Sequence, residues 1–172
     1  MKLITPATMA ADLRAARQLF EEYAAELGVD LGFQNFTHEL DALPGAYAPP
    51  RGALLLARVA DTVAGCVALR PVEGAVCEMK RLFVRPAARS QGWARALVTE
   101  IIACAEAAGY REMVLDTLDW MHPAIALYES FGFERTAPYY DNPLPGAVYF
   151  RLRWTPASVT PRSLDSGFGT DS

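Results

Sequence analysis

Apolar residues recur every three or four positions from Leu13 through Ala16, Phe20 and Ala24 to Leu27, which predicts an amphipathic helix following a short strand at residues 2–5. Thr8 is placed to cap that helix and Gly28 to end it. A weaker helical pattern over 34–43 rests on Phe36, Leu40 and Leu43, and prolines and glycines at 44–52 mark a loop. Apolar runs at 53–59 and 63–70, separated by Ala60-Asp61-Thr62, predict a hairpin, and 75–84 a third consecutive strand. Residues 92–108 are apolar almost all round, with Leu97, Val98, Ile101, Ile102 and Ala105, as in a helix packed on a sheet, and Gly109 stops it. A strand at 112–117, a helix at 123–131 with proline in its first turn, and strands at 133–135 and 148–154 complete the order. The last two strands are joined by a stiff loop rich in proline and aromatics. The sequence β-α-α-β-β-β-α-β-α-β-β predicts an α/β (α+β) fold with a mixed sheet and helices on its faces, not a doubly wound parallel one. One domain is expected over 1–154, and a disordered tail over 155–172, where little is available to bury.

Composition narrows the function classes. A chain of 172 residues, 52% hydrophobic, is long enough for one core without staples. Cys66, Cys77 and Cys104 lie in apolar runs with no zinc-type spacing, so free thiols in a reducing cytoplasm are expected, and no metal. Neither a signal-peptide stretch nor a membrane-length apolar run is visible, and a cytoplasmic protein without membrane contact is expected. A net charge of −4 and a pI near 5.2 argue against a nucleic-acid partner. The local cluster Lys80, Arg81, Arg85, Arg89, Arg95 is basic within an acidic whole, which points to a small anionic ligand. Monomer and homodimer are both open.

Residues 89–95, Arg-Ser-Gln-Gly-Trp-Ala-Arg, sit between a strand and a helix. That order offers backbone N–H groups, the positive end of a helix dipole and two guanidiniums to one anion. Arg89-x-x-Gly92-x-Ala94 resembles the Gln/Arg-x-x-Gly-x-Gly/Ala signature of the GNAT superfamily of N-acetyltransferases. The strand 78–86 before it resembles that family's preceding strand, and residues 124–133 resemble its second motif, Ala-x-x-Leu-Tyr-x-x-x-Gly-Phe. The three occur in the right order and spacing, and the resemblance covers about residues 2–154. It implies a largely antiparallel central sheet with helices on both faces, acetyl-CoA as co-substrate, no metal, and direct transfer of the acetyl group to a primary amine of a small molecule or a protein. A non-catalytic CoA-binding module of the same fold is the alternative, and a P-loop enzyme is poorer because the loop lacks the lysine and Ser/Thr that fold needs.

The resemblance also assigns roles. Backbone groups of Gln91, Gly92, Trp93, Ala94 and Arg95 would wrap the pyrophosphate, with Arg89 and Arg95 adding charge and Trp93 serving helix packing. The strand backbone at Leu82, Phe83 and Val84 would run along the pantetheine arm, and the Leu82 N–H would polarise the thioester carbonyl. Tyr128 would protonate the departing thiolate. Glu78 is the general-base candidate, on the same face as Leu82 if the strand alternates regularly; pairing with Lys80 or Arg81 is the competing role. Met121 stands where the family frequently has asparagine. His38 and His122 lack partners for a nucleophilic triad, while Asp116 and Asp119 either face the amine or merely end a strand. Tyr23, Phe33, Tyr139, Tyr140 and Asn142 are candidates to line the acceptor site, and Lys80 and Arg81 to favour an acceptor with a carboxylate or phosphate beside its amine.

Overall fold

In the computed structural model, which describes residues 2–155, seven strands form one sheet in the order β1-β2-β3-β4-β5-β7-β6. The strands are β1 (Leu3–Pro6), β2 (Ala53–Val59), β3 (Thr62–Glu73), β4 (Val76–Val84), β5 (Glu112–Leu118), β6 (Glu134–Thr136) and β7 (Ala147–Arg153). All neighbours are antiparallel except β4 and β5. The helices are α1 (Ala10–Leu27), α2 (Phe36–Asp41), α3 (Trp93–Ala107) and α4 (His122–Ser130). The expected tail beyond residue 155 lies outside the described residues. No helix among them is long and apolar enough to cross a membrane.

The sheet separates two apolar layers. On one face Leu55, Val67, Met79 and Leu115 pack against Trp93, Leu97, Val98 and Ile101 of α3 and Ile125 and Tyr128 of α4. On the other, Leu54, Leu56, Cys66 and Phe83 meet Ala16, Leu19 and Phe20 of α1 and Leu40 of α2. Each large apolar side chain so buried stabilises the fold by about 1.5–3 kcal/mol before chain entropy is subtracted.

Local chemistry moves several boundaries from their predicted places. Met9, not Thr8, is the first capping residue of α1, because the Asp12 carboxylate turns back to accept the N–H groups of Thr8 and Met9, both at 3.1 Å. The second helix shrinks to Phe36–Asp41 because Asn35 takes a left-handed conformation (φ 56°) after a 3₁₀ turn at Gly32–Gln34. β3 continues through Pro71, which stays in register with Cys77, and reaches Glu73 by a register shift after the proline.

Two irregularities of β4 create the site. Its pairing with β5 stops at Glu78↔Val114, although β5 continues to Leu118, so the strands part beyond that point. Against β3 the register steps from Ala68↔Lys80 to Cys66↔Phe83, three residues on β4 against two on β3. The extra residue is a β-bulge at Arg81, whose φ is 60°. The Cys66 thiol donates to the Arg81 carbonyl at 3.2 Å across the bulge.

Candidate active site

The parting of β4 and β5 opens a groove in the middle of the sheet. Its outer part, about 1660 Å³ including space open to solvent, runs from the first turn of α3 past Leu82 and Val84 to Trp120, Pro123 and Leu127. Its inner part, about 710 Å³ by the same measure, is lined by Gln34, Lys80, Arg81, Asp116, Tyr128 and Asn142 among others. Tyr23, Leu27, Leu82, Met121 and Ala124 line both, so the two are continuous.

The outer part is built from backbone. Ser90 and Gly92 have φ of 62° and 80°, so the chain curls into α3. The N–H groups of Trp93, Ala94 and Arg95 stay outside the helical ladder, whose first bond runs from Ala96 N to Gly92 O at 3.1 Å. Those donors and the positive end of the helix dipole stand together on the wall of the outer groove. The arginine side chains are already committed. Arg89 donates to the Val84 carbonyl at 2.9 Å and to Glu26 at 2.5 Å, and Arg95 donates to Ser130 Oγ at 2.9 Å while lying over Phe131. Gln91 donates to the Ala87 carbonyl at 3.3 Å, and the Trp93 ring is only 4% exposed, within the core. A cation the sequence did not nominate is Lys2. A Cβ added to Gly92 would meet its Nζ at 2.7 Å, and nothing local ties residue 2 to residue 92. The β4 edge supplies the other half of this region: neither Arg81 nor Leu82 has a partner in the register to β3 or to β5.

The inner part is built from side chains. Glu78 is 1% exposed; its carboxylate accepts Arg70 Nε at 2.7 Å and the Tyr139 hydroxyl, with Lys80 Nζ at 4.0 Å. It does not line the cavity, and it does not share a face with Leu82 as regular alternation implied. The bulge reverses the parity: Leu82 and Val84 join the α3 layer with Met79, whereas Glu78, Lys80, Arg81 and Phe83 face α1 and α2. Arg81 is held by Glu39, at 2.9 Å from Nε and 3.3 Å from NH2, and by Gln34 Oε1 at 2.9 Å. Burial pulls its guanidinium down, but the Glu39 carboxylate outweighs this and leaves it above the ordinary value. The paired role considered for Glu78 therefore falls to Arg70 and Tyr139, and Arg81 pairs elsewhere.

Asp116 on β5 stands at the cavity wall. Its Oδ2 accepts Asn142 Nδ2 at 2.8 Å and the Tyr140 hydroxyl, and Gln34 Nε2 donates to that hydroxyl at 3.0 Å. Burial, with the nearby carboxylates, holds the Tyr139 and Tyr140 hydroxyls well above their usual pKa, so both are donors at neutral pH. Tyr128, 7% exposed, is likewise pushed up by burial and makes no side-chain hydrogen bond among the described residues. Met121 Sδ receives a contact from Thr117 Oγ1 at 3.4 Å, and its thioether offers the groove no donor.

Of the proposed acceptor residues, Tyr23 and Asn142 line the cavity, and Tyr139 and Tyr140 reach Glu78 and Asp116. Phe33 does not line it: the 3₁₀ turn leaves its ring 37% exposed and brings the neighbouring Gln34 inward instead. His38 and His122 are exposed, and Asp119 ends β5 against Gly146. No cysteine lines either part of the groove, and no cluster of metal-ligating side chains occurs among the described residues. Gln34, Glu39 and Arg70 are the site residues that the sequence gave no reason to single out.

Comparison with known proteins agrees with this geometry. The acetyltransferase (GNAT) family model matches residues 13–133. An uncharacterised N-acetyltransferase of Schizosaccharomyces pombe is 50% identical over 143 residues, covering 82% of this chain and 88% of that protein. An Azospirillum brasilense protein named IAA acetyltransferase is 38% identical over 126 residues, covering 73% and 80%. Among solved structures, a Streptococcus agalactiae acetyltransferase superposes with a TM-score of 0.73 at 19% identity, covering 89% of this chain and 98% of its own. A Bacillus subtilis acetyltransferase in complex with CoA gives 0.65 at 19% identity, covering 90% and 100%. With its seven-stranded mixed sheet, glycine-bearing loop and divided β4–β5 edge, the chain belongs to the GNAT family of N-acetyltransferases.

Proposed function

We propose that the protein binds acetyl-CoA in the outer groove and transfers its acetyl group directly to a primary amine held in the inner cavity. The observation that carries this is the continuity of the two parts through Leu82, with an anion site at one end and the Asp116 carboxylate at the other.

The residues present fit the co-substrate. The first-turn N–H groups of α3 suit a pyrophosphate, and the unpaired edge of β4 suits an arm of successive amides, which it would bind as an added strand. Acetyl-CoA supplies the acetyl group as a thioester, whose C–S bond breaks as the C–N bond to the amine forms. The Leu82 N–H, on a residue without a partner in the strand registers, polarises the acetyl carbonyl. An alkyl ammonium has a pKa near 10.4 and must lose a proton before it can attack. Asp116 takes that proton, in place of the buried Glu78, and passes it to solvent. Glu78 acts one step removed, anchoring Tyr139 and with it the loop that carries Tyr140 and Asn142 to Asp116. Tyr128 gives its hydroxyl proton to the departing sulfur and recovers one from the nitrogen as the amide forms, so one proton leaves per turnover. With no thiol along the groove, no acetylated cysteine intervenes.

Initial rates with acetyl-CoA and a panel of amines test this. Intersecting double-reciprocal lines are expected, with acetylated product equal to the CoA thiol released. Parallel lines with a labelled enzyme, or no product from any amine, would overturn it.

A further inference from the structure

The charges around the inner cavity do not all cancel locally. Arg70 with Glu78 and Arg81 with Glu39 form two close pairs, at 2.7 and 2.9 Å. What remains is one cation, Lys80, and one carboxylate, Asp116, both on the cavity wall. They are not in contact with each other. A neutral chain separates them: Lys80 Nζ donates to Gln34 Oε1 at 3.2 Å, Gln34 Nε2 to the Tyr140 hydroxyl at 3.0 Å, and that hydroxyl to Asp116 Oδ2.

Both ends of this chain have bonding capacity to spare. The Lys80 side chain is 4% exposed, yet its one hydrogen bond among the described residues goes to the Gln34 amide, and Glu78 Oε2 stands off at 4.0 Å. An ammonium carries three donors, and a buried charge left with so few partners is costly. Asp116 accepts both its bonds on Oδ2, leaving Oδ1 without a partner among the described residues.

We propose that the acceptor is an aminocarboxylate, a free amino acid or its conjugate, whose ammonium meets Asp116 and whose carboxylate meets Lys80. Such a molecule closes the two open ends at once and leaves no unmatched charge in the cavity. A polyamine would bring extra positive charge towards Lys80 and Arg81. A peptide N-terminus, whose nearest backbone group is a neutral amide, would leave Lys80 unanswered. Burial lowers the Lys80 pKa, and an acceptor carboxylate would oppose that shift.

This rests on the acetyl-transfer reading above, and its test is separable from it. Amino acids are compared with their own α-amides as acceptors for the wild type, Lys80→Met and Lys80→Arg. In the wild type the acid is expected to exceed the amide roughly ten- to a hundred-fold in kcat/KM, the range of one charge-assisted hydrogen bond. Lys80→Met should erase that preference through the acid's KM, so that acid and amide are used alike whatever the absolute rate, and Lys80→Arg should restore part of it. Equal use of acid and amide by the wild type, or a preference that survives Lys80→Met, overturns the proposal. Binding gives a readout independent of turnover. With CoA present, an N-acetylamino acid should raise the wild-type melting temperature more than its amide does, and equal shifts overturn the proposal even if no amine is acetylated.

Discussion

The two halves of the groove are made of different material. The outer half, which we propose holds the acyl donor, is main chain: two left-handed residues at Ser90 and Gly92, the first N–H groups of α3 and an unpaired stretch of β4. The inner half, the proposed acceptor site, is side chain, drawn from the turn before α2, from α2 itself, from β3, β4 and β5, and from the loop before β7. Backbone recognition tolerates exchange of side chains, so the donor half can stay constant while its neighbours vary. A side-chain network is reset by single substitutions. One scaffold can therefore keep its acyl donor and change its acceptor.

The sharpest way to break this division is at Asp116. Asp116→Ala should lower kcat/KM for the amine by about 10²–10⁴, the usual worth of a positioned proton acceptor, without changing acetyl-CoA affinity by calorimetry. A matching loss of acetyl-CoA binding would merge the two halves. Next in size is Glu78→Gln, which removes the buried carboxylate that Arg70, 37% exposed on its side chain, and Tyr139 both donate to. A loss of about 1–3 kcal/mol in chemical denaturation is expected, since the remaining guanidinium is partly solvated, with the folded protein still binding acetyl-CoA. Gly92→Ala acts on the other half, since a side chain at φ 80° costs about 1–2 kcal/mol and its Cβ would press on Lys2. Acetyl-CoA affinity should fall by roughly tenfold with the amine KM unchanged. Smallest is Arg89→Ala: its guanidinium is spent on Glu26 and Val84, so acetyl-CoA KM should rise by no more than about threefold. A drop of a hundredfold would make the anion site a side-chain site after all.

The same division explains what the sequence made legible. The strand–loop–helix at 78–95 and the helix at 124–133 are contiguous, so their residue types and spacing carry the walls of the outer groove, though not the approach of Lys2 to Gly92. The long apolar periodicities of α1 and α3 likewise fixed the layers on either face of the sheet. The acceptor half depends on contacts between distant segments, such as Tyr139 with Glu78 and Tyr140 with Gln34, for which no local pattern exists. Phe33 and Gln34 show how fine the margin is: a single 3₁₀ turn decides which of two adjacent residues enters the cavity. The bulge was illegible for another reason. It puts an arginine, not a glycine, at positive φ, so nothing in the residue type announced it.

That bulge gives β4 two reading frames. Up to Lys80 the even-numbered residues face α1 and α2; after Arg81 the odd-numbered ones do. Any design that grafts, shortens or aligns this strand must shift by one position at residue 81. Flattening the bulge without removing a residue would turn Leu82 and Val84 away from α3 and the Phe83 ring towards it, whereas deleting residue 81 would keep both faces and lose only the unpaired step that the groove uses.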